Sequence, residues 1–288
     1  MRRLRSLTVL GSAIAIGVGF TGVASASTNT TAPRPAVIYN SVVTGVGNLP
    51  SVGAEAYSFN EFGNSVTFGG KNRRLTKAVV SMSSWGCASG NWHDNNCVTP
   101  AGATFTEPIT LNVYGPSSDG VHPGALITTV TQTFKIPYRP SASSKCGTTG
   151  QWFDSLHKKC NNGKLVNLTF TIGGRVPSSA VYGIAYNTTH YGYNPIGESA
   201  ACYTSSGGCG YDSLNIALSQ DPINVKVGYD TNPGKVWQNA SVPSDYCDNG
   251  AAGTGTFRLD SPTSTCWGVD APYNAPFYVP AVQFTAVN

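Results

Sequence analysis

The chain predicts an all-β fold, a two-sheet, jelly-roll-like sandwich with disulfide-tied loops. Three observations predict it. Only 11% of the 288 residues are charged, 40% are hydrophobic, and there are 33 Gly and 18 Pro; the Ala, Glu, Lys, Leu and Arg runs of long helices are missing. Short apolar runs alternate with polar residues at a period of two, as strands with one buried face do. Eight cysteines fall in four close pairs around turn-rich segments.

Along the chain, Arg2, Arg3 and Arg5 precede an apolar stretch over 7–23, and Ala24-Ser25-Ala26 has the small-x-small form of a cleavage site. Residues 1–26 therefore read as a signal peptide. The stretch is broken by Gly and Thr and is shorter than the ~20 residues a membrane span prefers, and no cysteine follows the cut for lipid attachment. A secreted, extracellular protein with no membrane association after cleavage is expected. Residues 27–36, with Pro33 and Pro35, read as a flexible leader, and 37–288 as a single β-sandwich domain, since such sandwiches often run to 200–250 residues.

Strands are expected over 65–68, 75–83, 104–105 leading into 109–114, 126–136, 165–172 and 181–186. Later ones are expected over 214–218, 223–227, 256–259 and 281–286. In the run 165–172, Val166, Leu168, Phe170 and Ile172 share one face, while Asn167, Thr169 and Thr171 face water. Val80 and Met82 oppose Val79, Ser81 and Ser83 in the same way. Helical periodicity is scarcely visible; 212–218 suggests a short turn at most. The turn-rich stretch 137–150 reads as a tethered loop.

The cysteines are Cys87, Cys97, Cys146, Cys160, Cys202, Cys209, Cys247 and Cys266. An even count behind an export signal implies disulfides formed in an oxidising space. Eight cysteines allow 105 pairings. The short spacings, with turn residues inside each, favour sequential bonds that each close one local loop. Zinc binding is not expected, because no C-x-x-C spacing occurs.

Charge narrows the partners. Eighteen basic residues less the three leader arginines leave 15, against 14 acidic ones, and no long basic run remains. Nucleic acid and anionic membranes, which need clustered Lys and Arg, are poor candidates.

A resemblance rests on particular residues. Arg74-Leu75-Thr76-Lys77-Ala78-Val79-Val80-Ser81-Met82-Ser83-Ser84 resembles the opening strand of bacterial secreted choice-of-anchor domains. Ile109-Thr110-Leu111-Asn112-Val113-Tyr114, then Pro123-Gly124-Ala125-Leu126-Ile127 with Val130-Thr131, resemble their following strands. The likeness covers about a quarter of the chain and implies a surface or matrix β-sandwich. It brings no catalytic residues, and the eight cysteines and large loops depart from its pattern.

Two segments carry the residue types of a site. Tyr186 to Pro195 includes His190, Tyr191 and Tyr193, with Glu198 following. His190 has the titration range of a general base, and Tyr191 or Tyr193 could supply a proton or stack on a sugar. With Arg139 or Arg175 neutralising a uronate carboxylate, that inventory suits a polysaccharide lyase. Glu198 with Asp212 is the nearby carboxylate pair that a glycoside hydrolase would need. The alternative is that these side chains pack a loop. The second segment, Trp85-Gly86-Cys87 with Trp92, His93 and Asp94, offers flat rings and polar anchors for a sugar; alternatively it is a stapled loop with Trp85 closing the core. Trp152, Trp237 and Trp267 near the other cysteines read as loop plugs.

No Gly-x-Ser-x-Gly, P-loop, dinucleotide glycine pattern or His-Glu-x-x-His is present. No cofactor is expected beyond structural calcium, which Asp245, Asp248, Asn249, Asp260 and Asp270 suggest without a recognised loop spacing. The favoured expectation is a monomeric binder of glycan or cell-envelope polymer. A polysaccharide lyase or hydrolase, and a structural coat or matrix protein, are the alternatives.

Overall fold

The computed structural model describes residues 34–90, 94–186, 214–267 and 277–288. In chain order the strands are β1 (Ala36–Asn40), β2 (Ser51–Gly53), β3 (Phe59–Thr67), β4 (Arg74–Ser84), β5 (Thr104–Tyr114) and β6 (Leu126–Pro137). They continue as β7 (Trp152–Asp154), β8 (Lys159–Asn161), β9 (Lys164–Thr171), β10 (Ser179–Ala185) and β11 (Leu214–Asp221). The last are β12 (Tyr229–Asp230), β13 (Trp237–Ala240), β14 (Arg258–Leu259), β15 (Phe277–Pro280) and β16 (Val282–Val287). One four-residue helix, α1 (Ala54–Tyr57), follows β2.

Two seven-stranded antiparallel sheets result. The first runs β1-β16-β4-β11-β15, with β2 on β11 and β9 on β4. The second runs β14-β13-β3-β10-β5-β6, with β12 on β3. A small hairpin, β7–β8, stands apart. The inner faces interlock: Tyr182 of β10 meets Phe284 of β16 edge to face at 5.5 Å, and Phe134 of β6 meets Phe170 of β9 at 4.9 Å. Two facing sheets with interdigitated apolar side chains make a sandwich, and they bury one continuous core.

Alternation explains much of this. In β9, Leu168 and Phe170 are buried while Asn167, Thr169 and Thr171 are exposed. In β4, Ala78, Val80 and Met82 enter the core. The opposite-face Ser81 and Ser83 are also buried, because Asn167 and Asn48 cover and bond them at 2.7 and 2.6 Å.

The structure corrects several expected boundaries. Segments 104–105 and 109–114 form one strand through Pro108. Proline is tolerated there because β10 ends opposite Thr110, so only β6 flanks Pro108. Residues 223–227 are not a strand. Pro222 cannot donate to a ladder, and within the segment only Val227 bridges, to Asn40. The expected strand 256–259 shortens to Arg258–Leu259. The strand expected over 214–218 is present and runs on to Asp221, so the turn also suggested there does not form from Leu214 onward. Asn60, Glu61, Gly63 and Asn64 have poor strand propensity, yet they lie in the central strand β3, held between β10 and β13.

Three sequential disulfides are present: Cys87–Cys97, Cys146–Cys160 and Cys247–Cys266, with Cα–Cα distances of 5.5, 5.8 and 5.9 Å. Cys202 and Cys209 lie outside the described residues. No helix among the described residues is long and apolar enough to cross a membrane.

Candidate functional site

The site grows from the crossover between the sheets. Ser58 ends α1 in the left-handed region, at φ 47°. The resulting reversal brings its hydroxyl to donate to Asp245 Oδ2 at 2.5 Å. Asp245 closes a 3-10 turn, Pro243–Asp245. That turn leads into Tyr246 and Cys247, and the Cys247–Cys266 bond joins this loop to Trp267. The far wall is Tyr278 of β15, whose N–H donates to the Trp267 carbonyl at 2.8 Å.

These segments enclose an open cleft of about 420 Å³, with Tyr57, Trp267, Tyr278, Asp245 and Ser51 among its walls and the Cys247–Cys266 bond on its surface. Tyr57 is 36% exposed, and Trp267 and Tyr278 are half-buried. The indole of Trp267 is fixed on three sides. Its ring lies 5.2 Å from Phe62 edge to face and 5.9 Å from Tyr57, and its Nε1 donates to Asp260 Oδ2 at 2.9 Å. Such anchoring leaves a pre-set aromatic surface with little rotamer entropy to lose on binding.

Asp260 is fully buried. Burial lifts its carboxyl to about 6, against the lowering effect of its hydrogen bonds from Val236 N and Trp267 Nε1 and of nearby Lys235. Asp260 Oδ2 is 3.7 Å from Cys266 Sγ. A carboxylate oxygen and the two sulfurs all lie within 4.8 Å of one another. Bonded to each other, the two sulfurs are not thiolates free to take a metal. Behind Tyr246, the buried Arg258 guanidinium sits 3.9 Å over the ring and donates to Asp248 Oδ1 at 2.9 Å.

A second cleft, of about 350 Å³, shares Pro50 and Ser51 with the first. Its walls include Trp85, Gln151, Asn161 and Asn162. Trp85 Nε1 donates to Ser83 Oγ at 3.0 Å, and Ser83 donates on to Asn48 Oδ1 at 2.6 Å. The common edge is pinned: Leu218 N donates to Pro50 O at 2.7 Å, and Asn215 Nδ2 to Ser51 Oγ at 3.2 Å.

The positions read from sequence fare differently. His190, Tyr191, Tyr193, Glu198, Asp212, Trp92 and His93 lie outside the described residues, as does Asp270. Asp94 is exposed. Arg139 does not fit the role of neutralising a bound carboxylate: it is fully buried and its Nη2 donates to Gly150 O at 2.5 Å, so it braces the loop. Trp152 and Trp237 are plugs, 8% and 1% exposed; Trp267, read as a third plug, lines the cleft. Of the acids suggested for calcium, Asp245, Asp248 and Asp260 each hold a protein partner, namely Ser58, Arg258 and Trp267.

A carboxylate on the outer face of the second sheet has no local signal in the sequence. Glu61 lies across Gly183, where any Cβ would collide with its carboxylate, and accepts from Asn112 Nδ2 and Tyr114 Oη, both at 2.9 Å. Burial raises its pKa, against those two bonds. Only the parity of β3 and β5 hints at this, since Glu61 is over fifty positions from Asn112 and Tyr114.

No protein-family model, curated protein or solved structure gives a significant match to the chain.

Proposed function

We propose that this is a secreted, disulfide-stabilised β-sandwich that binds glycan or cell-envelope polysaccharide without turning it over. The observation that carries the reading is the cleft formed by Tyr57, Trp267 and Tyr278 beside Asp245 and Ser51. Aromatic faces stack on the apolar faces of pyranose rings, and a few fixed polar groups select hydroxyls. The adjoining cleft repeats that pairing, with Trp85 next to the amides of Gln151, Asn161 and Asn162. Two such places along one edge suit a linear polymer better than a single sugar.

The N-terminal signal pattern, the sequential disulfides and the likeness to choice-of-anchor strands agree with work outside the cell. The test is tryptophan fluorescence titration of the mature chain with soluble polysaccharides of several classes, with product analysis on the same samples. Saturable quenching with one class and no new chain ends is the expected result. No response from any class, or steady release of fragments, overturns the reading.

A further inference from the structure

The three described disulfides differ in setting. Cys87 and Cys97 are 0% and 1% exposed. Cys146 and Cys160 are half-buried, and Cys160 borders the second cleft. Cys266 is exposed, Cys247 is half-buried, and both line the open cleft; among the described residues, this is the pair with a carboxylate oxygen within 4.8 Å of both sulfurs. Beneath them lies Asp260, fully buried, with Oδ2 3.7 Å from Cys266 Sγ. A disulfide sulfur has no hydrogen to donate, so a hydrogen bond across that gap has to come from the protonated carboxyl.

The charged groups around Asp260 leave its carboxyl without an ion pair. Lys235 Nζ is bonded to Pro262 O at 2.7 Å. Arg258 Nη1 donates to the backbone carbonyl of Asp260 at 3.2 Å, and its Nη2 is engaged with Asp248. The carboxyl itself accepts from Val236 N at 3.2 Å and Trp267 Nε1 at 2.9 Å.

We propose that Cys247–Cys266 is a thiol-exchangeable disulfide, and that Asp260 supplies the proton to the departing Cys266 sulfur and takes it back on re-closure. A small-molecule thiolate attacks Cys247 Sγ, and the sulfur–sulfur bond breaks. Its electron pair leaves on Cys266 Sγ, which takes the proton from Asp260. A mixed disulfide on Cys247, a Cys266 thiol and an Asp260 carboxylate result. A second thiolate then displaces Cys247, so two small thiols are oxidised to their disulfide as the protein bond is reduced. In the reverse direction the Asp260 carboxylate deprotonates Cys266, which attacks Cys247 and expels the small thiol. Reactivity of this kind depends on access and on where the proton goes, and both are provided here. Opening the bond frees the Trp267 segment from the Tyr246 loop.

The pH dependence follows from the carboxyl. It is mostly protonated below about 6 and mostly ionised above. Opening by a fixed concentration of thiolate is therefore assisted below that pH, and re-closure above it.

The test uses the mature chain with its disulfides formed and reduced glutathione as probe, at constant thiolate concentration from pH 5 to 8. Samples are acid-quenched and alkylated, and the cysteine peptides are read by mass spectrometry. Cys247–Cys266 is expected to open about tenfold or more faster than Cys87–Cys97 and Cys146–Cys160, with glutathione on Cys247. Its rate is expected to fall as pH rises through about 6, and Asp260→Asn is expected to abolish that fall. If Asp260→Asn does not fold, Trp267→Phe serves instead: losing one bond that lowers the carboxyl pKa moves the inflection to higher pH, which a purely structural Asp260 would not do. Equal opening of the three pairs, glutathione on Cys266, or a pH profile untouched by either variant overturns the proposal.

Discussion

Trp267 and Phe62 meet edge to face at 5.2 Å, which seats a loop residue against the centre of strand β3. The contact ties the cleft wall to the core of the second sheet, so the aromatic surface is rigid where it is open. Trp267→Ala is therefore expected to weaken polysaccharide binding about tenfold or more, the scale of one lost aromatic contact plus its buried area. Trp152→Phe, at a buried plug, should leave affinity within about twofold of wild type. Fluorescence or calorimetric titration of both variants checks this; equal losses would place the ligand elsewhere.

The two clefts share Pro50 and Ser51, which makes a length dependence testable. Trp85→Ala is expected to reduce affinity for long chains several-fold and to leave the shortest binding oligomer nearly unaffected, since that oligomer fills only the Trp267 cleft. Titrating an oligomer series against both proteins gives the answer.

Strands and stapled loops were legible where a side-chain period or spacing is local. The parity of 166–172 and the close cysteine pairs are of that kind, and the structure bears both out in its described parts. The cleft was not legible. Tyr57, Asp245, Trp267 and Tyr278 belong to four separate segments, and only the strand order β4-β11-β15 beside β3 brings them together. Trp92-His93-Asp94 and the His190 segment stand out in the sequence because their residues are neighbours in it. The expected strand 65–68 catches only the end of β3, whose residues 59–64 escape for a related reason. Its Gly63 is favoured by a close approach of backbone, not by propensity, and no window of sequence contains the partner strand.

That close approach predicts a graded pair of variants. A Cβ at Gly63 would collide with the carbonyl of Tyr182 in the neighbouring strand, whereas at Gly183 it would meet the Glu61 carboxylate, which is a side chain. Backbone in a paired strand gives way less readily than a side chain. Gly63→Ala should cost about 3 kcal/mol or more, and Gly183→Ala about 1–2 kcal/mol, as overpacking usually does. Urea unfolding midpoints measure both; the reverse order would contradict the packing.

The Cys146–Cys160 bond closes a short loop around the β7–β8 hairpin, with a sequence separation of 14. Chain-entropy arguments assign such a bond about 3 kcal/mol. Replacing both residues by Ala should lower stability by about that amount and leave β-sheet circular dichroism unchanged. Removing Cys87–Cys97, whose sulfurs are also core, should cost more, because a packing defect is added to the lost constraint.

The pH dependence of stability is expected to run opposite to ordinary acid denaturation, and Asp230 is the reason. It is 4% exposed in β12, bonded through Oδ2 to Asn64 at 3.1 Å and through Oδ1 to Asn232 N at 2.8 Å. Burial first, and then the charge of Asp221, raises its pKa from 3.8 to about 7, against the lowering of those two bonds. Asp221 is itself raised by burial. A carboxyl whose folded pKa lies above its unfolded value binds more protons when folded. The stability it contributes is then fully present below about pH 4 and lost progressively as pH rises to about 7. At 1.36 kcal/mol per unit of pKa, the whole loss is on the order of 4 kcal/mol. Asp260 adds to it over a lower window, ending near pH 6. Asn at 230 keeps a carbonyl oxygen for Asn232 N and carries no charge. Asp230→Asn should therefore flatten the fall in melting temperature between pH 6 and 7 and reduce the fall between pH 4 and 6 to about half, the part due to Asp260. Calorimetric melting of the two proteins from pH 4 to 8 decides it, and parallel curves would mean that Asp230 does not titrate in the folded state.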